Sequence, residues 1–281
     1  MSDKGILSRA IRGMVLTAFL CIGMGGHMIS ASEGIENQDI SSLEWKKLSA
    51  MKIYFGHQSV GYNILSGVND FMRESSIGVV NIKETKDPVD FDQPIFAHSP
   101  VGKNSSPVSK IDDFKAIIEN GIGEKINVAF FKFCYVDIKS ATDIDDIFRH
   151  YAQTMTDLQT KYPSVKFAHC TVPLQVSSPG VKSMIKRALG RPLTGEEDNI
   201  KRNRFNQLLV QEYGKSGLLF DLAGYESTKA DGGRVYFKDG GNDVFYLNPD
   251  YTDDGGHLNA KGSRMISRQL IVFLQLLSGG E

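Results

Sequence analysis

The sequence is poor in the residues that mark fibrous, disordered or disulfide-built proteins. Its 281 residues include only nine prolines and three cysteines, and its 28 glycines follow no internal repeat. This proline and glycine content is too low for a fibrous or disordered protein. The two cysteines beyond residue 31 are too few for a disulfide framework. A chain of this length, 41% hydrophobic, can bury a sizeable core without such supports.

An excess of charge of either sign is also absent. The chain carries 32 Lys and Arg against 33 Asp and Glu, for a formal net charge of −1. Nucleic-acid-binding domains usually present a strongly basic surface to the phosphates. We therefore expect no nucleic-acid partner.

A long hydrophobic run occurs only near the start of the chain. Residues 14–26 are mostly apolar and follow three basic residues. An apolar run of about 13 residues behind a basic segment is typical of a secretory signal peptide, whereas a membrane span needs about 20. Small residues follow, and they predict cleavage after Ala31. We expect residues 1–31 to be a signal peptide and the protein to be periplasmic or secreted, with a membrane anchor as the alternative if the segment is not cleaved.

Beyond a polar lead-in at residues 32–50, the chain alternates between β-prone apolar segments and segments with helical spacing. The predicted strands are 51–55, 79–83, 126–134, 165–172 and 218–222, the predicted helices are 60–73, 111–119, 142–162, 199–213 and 260–277, and the predicted long loops are 86–110, 174–198 and 223–253. This alternation predicts one α/β domain over residues 51–281, with a mostly parallel sheet of about five strands and helices on both faces.

Active sites of open parallel sheets lie beyond the carboxyl ends of the strands. The polar residues that follow predicted strands, or end the last loop, are therefore site candidates. They are His57, Gln58, Ser59, His98, Gly102, Asn104, Tyr135, Asp137, Asp254 and His257.

Ser59 lies where a strand, a glycine turn and a helix start meet. Free backbone N–H groups surround a helix N-terminus and can hold an oxyanion, although serine is also a common helix N-cap. A serine nucleophile needs a base, and a histidine base needs an orienting carboxylate. Asp254 and His257, separated by two glycines, can supply both, although a surface histidine in a glycine-rich loop is the alternative.

These two motifs together resemble those of the SGNH/GDSL hydrolase superfamily, over about residues 51–277. The resemblance implies a flavodoxin-like, three-layer α/β/α sandwich that hydrolyses esters, often acyl groups on glycans or lipids, without a cofactor. It implies that Ser59 is the nucleophile, His257 the base and Asp254 its orienting partner.

The chain departs from the family pattern in two blocks. The family's Gly-Asp-Ser is replaced by Gly-His-Gln-Ser, and Val136 stands where the family usually has an oxyanion-hole asparagine. We expect the backbone N–H of Ser59, the N–H of Gly102 and the side chain of Asn104 to form the oxyanion hole instead.

The remaining candidates are expected to shape the pocket. His57, Gln58, Tyr135 and Asp137 are predicted to line it, with a buried histidine and a turn cap as the alternatives for His57 and Asp137. His98, in a polar loop, is expected at the surface.

The sequence disfavours two other chemistries. A zinc site that collects His57, His98, Asp254 and His257 lacks the close ligand spacing of zinc motifs, and no metal is expected. Cys134 lies within or just past an apolar strand, which disfavours it as a nucleophile. Whether Cys134 and Cys170 pair or remain buried thiols stays open.

The sequence thus predicts an exported serine esterase that acts on O-acyl esters, acetyl esters above all, of a polysaccharide. Its partner would be an acylated glycan or a small ester. An O-acyltransferase with the same serine, and a degenerate member that binds glycans without turnover, are the alternatives. The oligomeric state is left open.

Overall fold

The computed structural model describes residues 42–75, 80–177 and 195–278. The predicted signal peptide 1–31 and most of the predicted loop 174–198 lie outside the described residues. The described part of the lead-in is helix α1 (Ser42–Ser49), whose Trp45 and Leu48 are buried in the core. In the part of the chain that the structure describes, no helix combines the length and apolarity needed to cross a membrane.

The centre of the fold is a parallel sheet of five strands. The strands are β1 (Lys52–Gly56), β2 (Ile82–Glu84), β3 (Ile95–Ser99), β4 (Val128–Phe131) and β5 (Lys166–Phe167). They pair in the order β2-β3-β1-β4-β5, and every neighbouring pair is parallel. A single residue separates β5 from β6 (His169–Cys170), which pairs in parallel with β7 (Leu219–Phe220). The predicted strand 165–172 is therefore split, because its first half pairs with β4 and its second half with β7.

Helices cover both faces of the sheet. The face that carries α1 also packs against α2 (Val60–Ser75) and α7 (Ala260–Leu277), and the opposite face packs against α3 (Pro107–Ile117), α4 (Ile144–Lys161) and α5 (Glu196–Tyr213). Strand β1 shows why both faces must be covered: Ile53 and Phe55 belong to one core cluster and Tyr54 to the other. The predicted three-layer α/β/α sandwich with a parallel sheet of about five strands is confirmed.

Two predicted loops contain regular structure instead. Strand β3 lies within the predicted loop 86–110, and in the sheet it pairs with β2 on one side and β1 on the other. The sequence predicts a loop here because prolines flank the strand. The expectation that His98 lies at the surface is wrong, because β3 is flanked by β2 and β1 and the residue is only 8% exposed.

The predicted loop 223–253 holds most of the short helix α6 (Leu222–Ser227) and an antiparallel hairpin of β8 (Tyr236–Asp239) and β9 (Asn242–Phe245). Gly240 and Gly241 form its turn, both with positive φ (53° and 87°), as a tight hairpin turn requires.

Helices α2 and α7 approach each other closely at Gly67. A Cβ there would lie 2.3 Å from Oγ of Ser267 and 2.8 Å from the carbonyl oxygen of Ser263. The Ser267 hydroxyl lies 2.6 Å from the carbonyl oxygen of Ile64, so the two helices are also joined by a buried hydrogen bond. This contact matters for the site because α2 begins one residue after Ser59 and α7 begins three residues after His257.

Candidate active site

Ser59 lies three residues beyond the end of β1, in a turn that leads directly into α2. Its φ is +53°, a left-handed conformation that costs an L-residue roughly 1–2 kcal/mol. Its carbonyl oxygen accepts the N–H of Tyr62 at 2.8 Å, within the first turn of the helix. No acceptor among the described residues takes the N–H of Ser59 itself, as is usual in a first helical turn.

The three residues predicted as a catalytic triad are in contact. Oγ of Ser59 lies 2.6 Å from Nε2 of His257, and Nδ1 of His257 lies 2.6 Å from Oδ2 of Asp254. A carboxylate is an acceptor, so Nδ1 carries the proton and Nε2 accepts from the serine hydroxyl. The structure thus joins the strand-turn-helix motif and the Asp-x-x-His motif into one chain of hydrogen bonds.

The Asp254 carboxylate is held by its own loop. Oδ1 accepts the backbone N–H groups of His257 at 2.8 Å and Gly256 at 2.9 Å. Hydrogen bonds from the His257 backbone, from its ring and from Gly256 hold the pKa of Asp254 well below its usual range. Gly255 allows this turn through its positive φ of 90°. The carboxylate is therefore ionised beside the imidazole.

Tyr135 packs against His257. Its ring meets the His257 ring edge to face, with the centroids 5.9 Å apart, and it leaves no room for a side chain at Gly256. The carbonyl oxygen of Tyr135 accepts a hydrogen bond of 2.8 Å from Nε of Arg202, which is 1% exposed. Sequence reasoning missed Arg202, because a basic residue in an amphipathic helix gives no sign of being buried.

The loop after β3 is tied to the turn that carries the serine. Nε2 of Gln58 donates to the carbonyl oxygens of Val101 at 3.2 Å and Gly102 at 3.1 Å. The N–H of Gly102, expected in the oxyanion hole, donates instead to Oδ2 of Asp113 at 2.8 Å. A carboxylate is a strong acceptor, so this N–H is engaged away from any substrate. Asn104 is exposed, and its Oδ1 accepts from Nζ of Lys110 at 3.0 Å.

Two of the residues predicted to line the pocket are buried instead. His57 is fully buried and lies 3.1 Å from His98 through Nε2 and Nδ1, respectively. Burial, and then the charge of Lys132, lower the pKa of His57 to about 2, so this ring is neutral. Asp137 is 3% exposed and forms an ion pair of 2.8 Å with Lys110. The burial of His57 agrees with the alternative of a buried histidine. The Cys134 N–H donates to Oδ2 of Asp137 at 2.6 Å, which agrees with the alternative of a turn cap.

The cysteines and metal ligands give no second centre in the described part of the chain. Cys134 and Cys170 are both free and buried, and burial raises the pKa of the Cys170 thiol well above its usual range. Within residues 42–75, 80–177 and 195–278, no group of three or more His, Cys, Asp or Glu side chains is arranged to hold a metal ion.

No protein-family model matches the chain, and neither does any curated protein. Among solved structures, one from Parabacteroides merdae called a GDSL-like lipase is 9% identical, covering 80% of this chain and 95% of its own, with a TM-score of 0.48. The similar structures are those of SGNH/GDSL hydrolases and esterases.

Two further similar structures have more specific names. A carbohydrate esterase family 3 protein from Talaromyces cellulolyticus is 15% identical, covering 82% of this chain and 100% of its own, with a TM-score of 0.46. The periplasmic domain of a lipopolysaccharide acetyltransferase from Salmonella ser. Paratyphi A is 15% identical, covering 84% and 90%, with a TM-score of 0.44.

Proposed function

We propose that the protein is a divergent serine esterase of the SGNH type that hydrolyses O-acyl esters. The observation that carries this proposal is the continuous chain of hydrogen bonds from Ser59 through His257 to Asp254, with both links at 2.6 Å. A nucleophile, a base and an orienting carboxylate in this arrangement form the triad of acyl-transfer enzymes on unrelated folds.

In the proposed reaction, Oγ of Ser59 attacks the ester carbonyl while Nε2 of His257 takes the hydroxyl proton. The imidazolium then gives that proton to the leaving alcohol, and the acyl group remains on the serine. Water attacks the acyl-enzyme with His257 as the base, which releases the carboxylic acid and restores the serine. Asp254 keeps the ring in the required tautomer and stabilises its positive charge.

The negative charge that develops on the carbonyl oxygen needs preorganised donors. The N–H of Ser59 has no acceptor among the described residues and is one such donor. We assign the second to Nδ2 of Asn104, since the N–H of Gly102 is bound to Asp113. Removal of one oxyanion-hole donor typically lowers kcat by about 10²–10³.

The substrate we propose is an acylated, chiefly acetylated, polysaccharide. The triad lies open at the surface, since the side chains of His257 and Asp254 are 45% and 56% exposed. Such a site can accept an ester on a chain too large to enter a closed pocket. The same openness admits a sugar hydroxyl in place of water, so an O-acyltransferase is the second candidate. Product analysis with an acetyl donor and a sugar acceptor separates the two.

Covalent labelling of Ser59 with a fluorophosphonate is the decisive experiment. We expect peptide mass spectrometry to find the phosphonyl group on Ser59, and labelling to be lost in Ser59→Ala and His257→Ala. Ser66→Ala, an exposed position in the helix that follows Ser59, is the matched control and should label normally. A folded protein that does not label would contradict the proposal and favour the glycan-binding alternative.

We also propose export with removal of residues 1–31. The support is the basic and apolar pattern of this segment. N-terminal sequencing of the protein recovered from the periplasm or medium should then begin at Ser32. A chain that retains Met1 and stays with the membrane would establish the anchor instead.

A further inference from the structure

The oxyanion hole proposed above places a catalytic donor on an exposed loop. Asn104 is exposed, and a free asparagine side chain at the surface would sample several rotamers. A donor is effective only when it is preorganised toward the developing charge. The Asn104 amide therefore needs contacts that fix its orientation.

Lys110 lies beneath this loop and is fully buried. Its Nζ contacts Oδ2 of Asp137 at 2.8 Å, Oδ1 of Asn104 at 3.0 Å and Sγ of Cys134 at 3.1 Å. An ammonium group has three donors and no acceptor, so the amide of Asn104 must present its oxygen to Lys110. The NH₂ group of Asn104 is consequently turned away from the lysine.

The backbone on both sides of Asn104 is also fixed. The N–H of Lys103 donates to Oγ of Ser109 at 2.9 Å, and the N–H of Ser105 donates to Oδ1 of Asp137 at 2.8 Å. Ser105 has a positive φ of 63°, a costly conformation that this hydrogen bond helps to hold. Asp137 thus neutralises Lys110 with one oxygen and anchors the Asn104 loop with the other.

The same cluster reaches the peptide that carries the Ser59 donor. Sγ of Cys134 lies 3.8 Å from the carbonyl oxygen of Gln58, and that carbonyl shares a peptide unit with the N–H of Ser59. The Cys134 N–H in turn donates to Oδ2 of Asp137 at 2.6 Å. Both proposed oxyanion donors are therefore tied, through a few direct contacts, to one buried ion pair.

We propose that Lys110, held by Asp137, is a positioning residue that orients the side-chain amide of Asn104 as an oxyanion-hole donor. It compensates for Val136 at the position where related hydrolases usually have an asparagine. This inference rests on the proposed esterase function and extends it to residues that do not touch the substrate.

A double-mutant cycle on the full chain tests the inference. Asn104→Ala should lower kcat for 4-nitrophenyl acetate by about 10²–10³ with little change in KM. Lys110→Met should lower kcat at least tenfold in the wild-type background and less than twofold in the Asn104→Ala background. This loss of additivity is expected only if Lys110 acts through Asn104, whereas general damage to the fold would lower both backgrounds alike.

Asn104→Asp provides a second measurement that leaves Lys110 intact. The aspartate can still accept from Lys110 but has no N–H to donate, so it should lose as much kcat as Asn104→Ala. If Lys110→Met alone does not fold because Asp137 is left unpaired, the Lys110→Met/Asp137→Asn variant removes both charges and takes its place in the cycle. Thermal unfolding of each variant establishes that it is folded.

The outcomes separate the inference from the function on which it rests. Additive losses for Lys110 and Asn104, or wild-type kcat in Asn104→Ala, would overturn the inference while Ser59 still labels with a fluorophosphonate. A wild-type protein that is folded but does not label would overturn the esterase proposal and the inference together.

Discussion

Ser59 has to serve two requirements that conflict. Its hydroxyl must face His257, and the turn that places it there imposes a φ of +53°, which disfavours every residue with a Cβ. The protein retains this strain at the residue proposed to carry the chemistry, as is common for backbone outliers at active sites.

A comparison of two inactive variants should expose this strain. Ser59→Gly and Ser59→Ala both lack the hydroxyl, but only glycine tolerates the left-handed backbone. We expect Ser59→Gly to be more stable by about 1 kcal/mol, or about 2–4 °C in Tm. The same pair at Ser66, an exposed helical position, should show the reverse order because glycine weakens helices. Equal Tm values for the two Ser59 variants would argue against a strained turn.

The Asp254 carboxylate is expected to act through the tautomer of His257. Asp254→Asn replaces an acceptor by a group that can also donate, so Nδ1 of His257 loses its fixed proton. We expect kcat to fall by about 10²–10⁴ while the fold remains intact. Asp253→Asn is the matched control, since this exposed neighbour bonds to Asn259 and not to His257. Comparable activity in the two variants would exclude a role for Asp254 in orienting the base.

The sequence allowed prediction of these residues because their signals are local. Ser59 follows a strand and a glycine, and Asp254 and His257 are three residues apart. Lys110 and Arg202 carry no such local signal, since only the tertiary structure buries them. The prediction that the Gly102 N–H is an oxyanion-hole donor fails for a similar reason. Its hydrogen-bond partner, Asp113, lies on a helix, and no local sequence pattern indicates that this helix packs against the loop.

At the scale of elements, the site depends on how two helices pack. Ser59 immediately precedes α2, and His257 lies just before α7, so the 2.6 Å contact between them is set by the α2–α7 interface. Gly67 gives this interface its close approach, because a Cβ there would meet Ser267 and the backbone of α7.

Gly67→Ala should therefore destabilise the protein although alanine favours helices. Overpacking of a close interface typically costs about 1–3 kcal/mol, against a gain of about 1 kcal/mol in helix propensity. We expect a lower Tm, and a fall in kcat/KM because the serine and histidine move apart. Ser66→Ala, one position earlier and exposed, should be neutral or slightly stabilising. An increase in Tm for Gly67→Ala would show that the interface relaxes without strain.

The elements themselves were largely predictable where periodicity was strong. Helix α7 was predicted with the bounds it has, Ala260–Leu277, because its apolar side repeats over five turns. Strand β3 was missed because prolines flank it and because His98 and Ser99 are polar yet buried. Its hydrogen-bonding partners lie on β1 and β2, and no local sequence pattern indicates such pairing.

At the scale of the whole molecule, the protein buries a carboxyl group, that of Glu226, one oxygen of which has no hydrogen-bond partner among the described residues. Glu226 is fully buried, and burial raises its pKa to about 8 against the opposing effect of the Leu174 N–H, which donates to it at 2.8 Å. Below about pH 4.3 the group is neutral in both the folded and unfolded states. Above that pH the unfolded chain loses the proton while the folded protein keeps it, so stability falls as the pH rises toward 8.

Glu226→Gln should remove this pH dependence, because the amide cannot ionise and its oxygen can still accept from Leu174. Urea unfolding at pH 5 and pH 8 should show the variant gaining about 1 kcal/mol or more relative to wild type at the higher pH. Glu212→Gln, at an exposed position, should show no such gain. Parallel stability curves for wild type and Glu226→Gln would mean that Glu226 is already ionised at pH 5.

The two hydrogen bonds of the proposed triad also differ in how far apart their residues lie along the chain. Asp254 and His257 meet within one turn, whereas Ser59 and His257 are separated by 198 residues. The first contact can form early and locally during refolding, but the second requires β1, α2 and α7 to reach their native places. The reactivity of Ser59 toward an electrophile therefore reports that these three elements have reached their native places. The rate at which this reactivity recovers during refolding measures how fast they assemble.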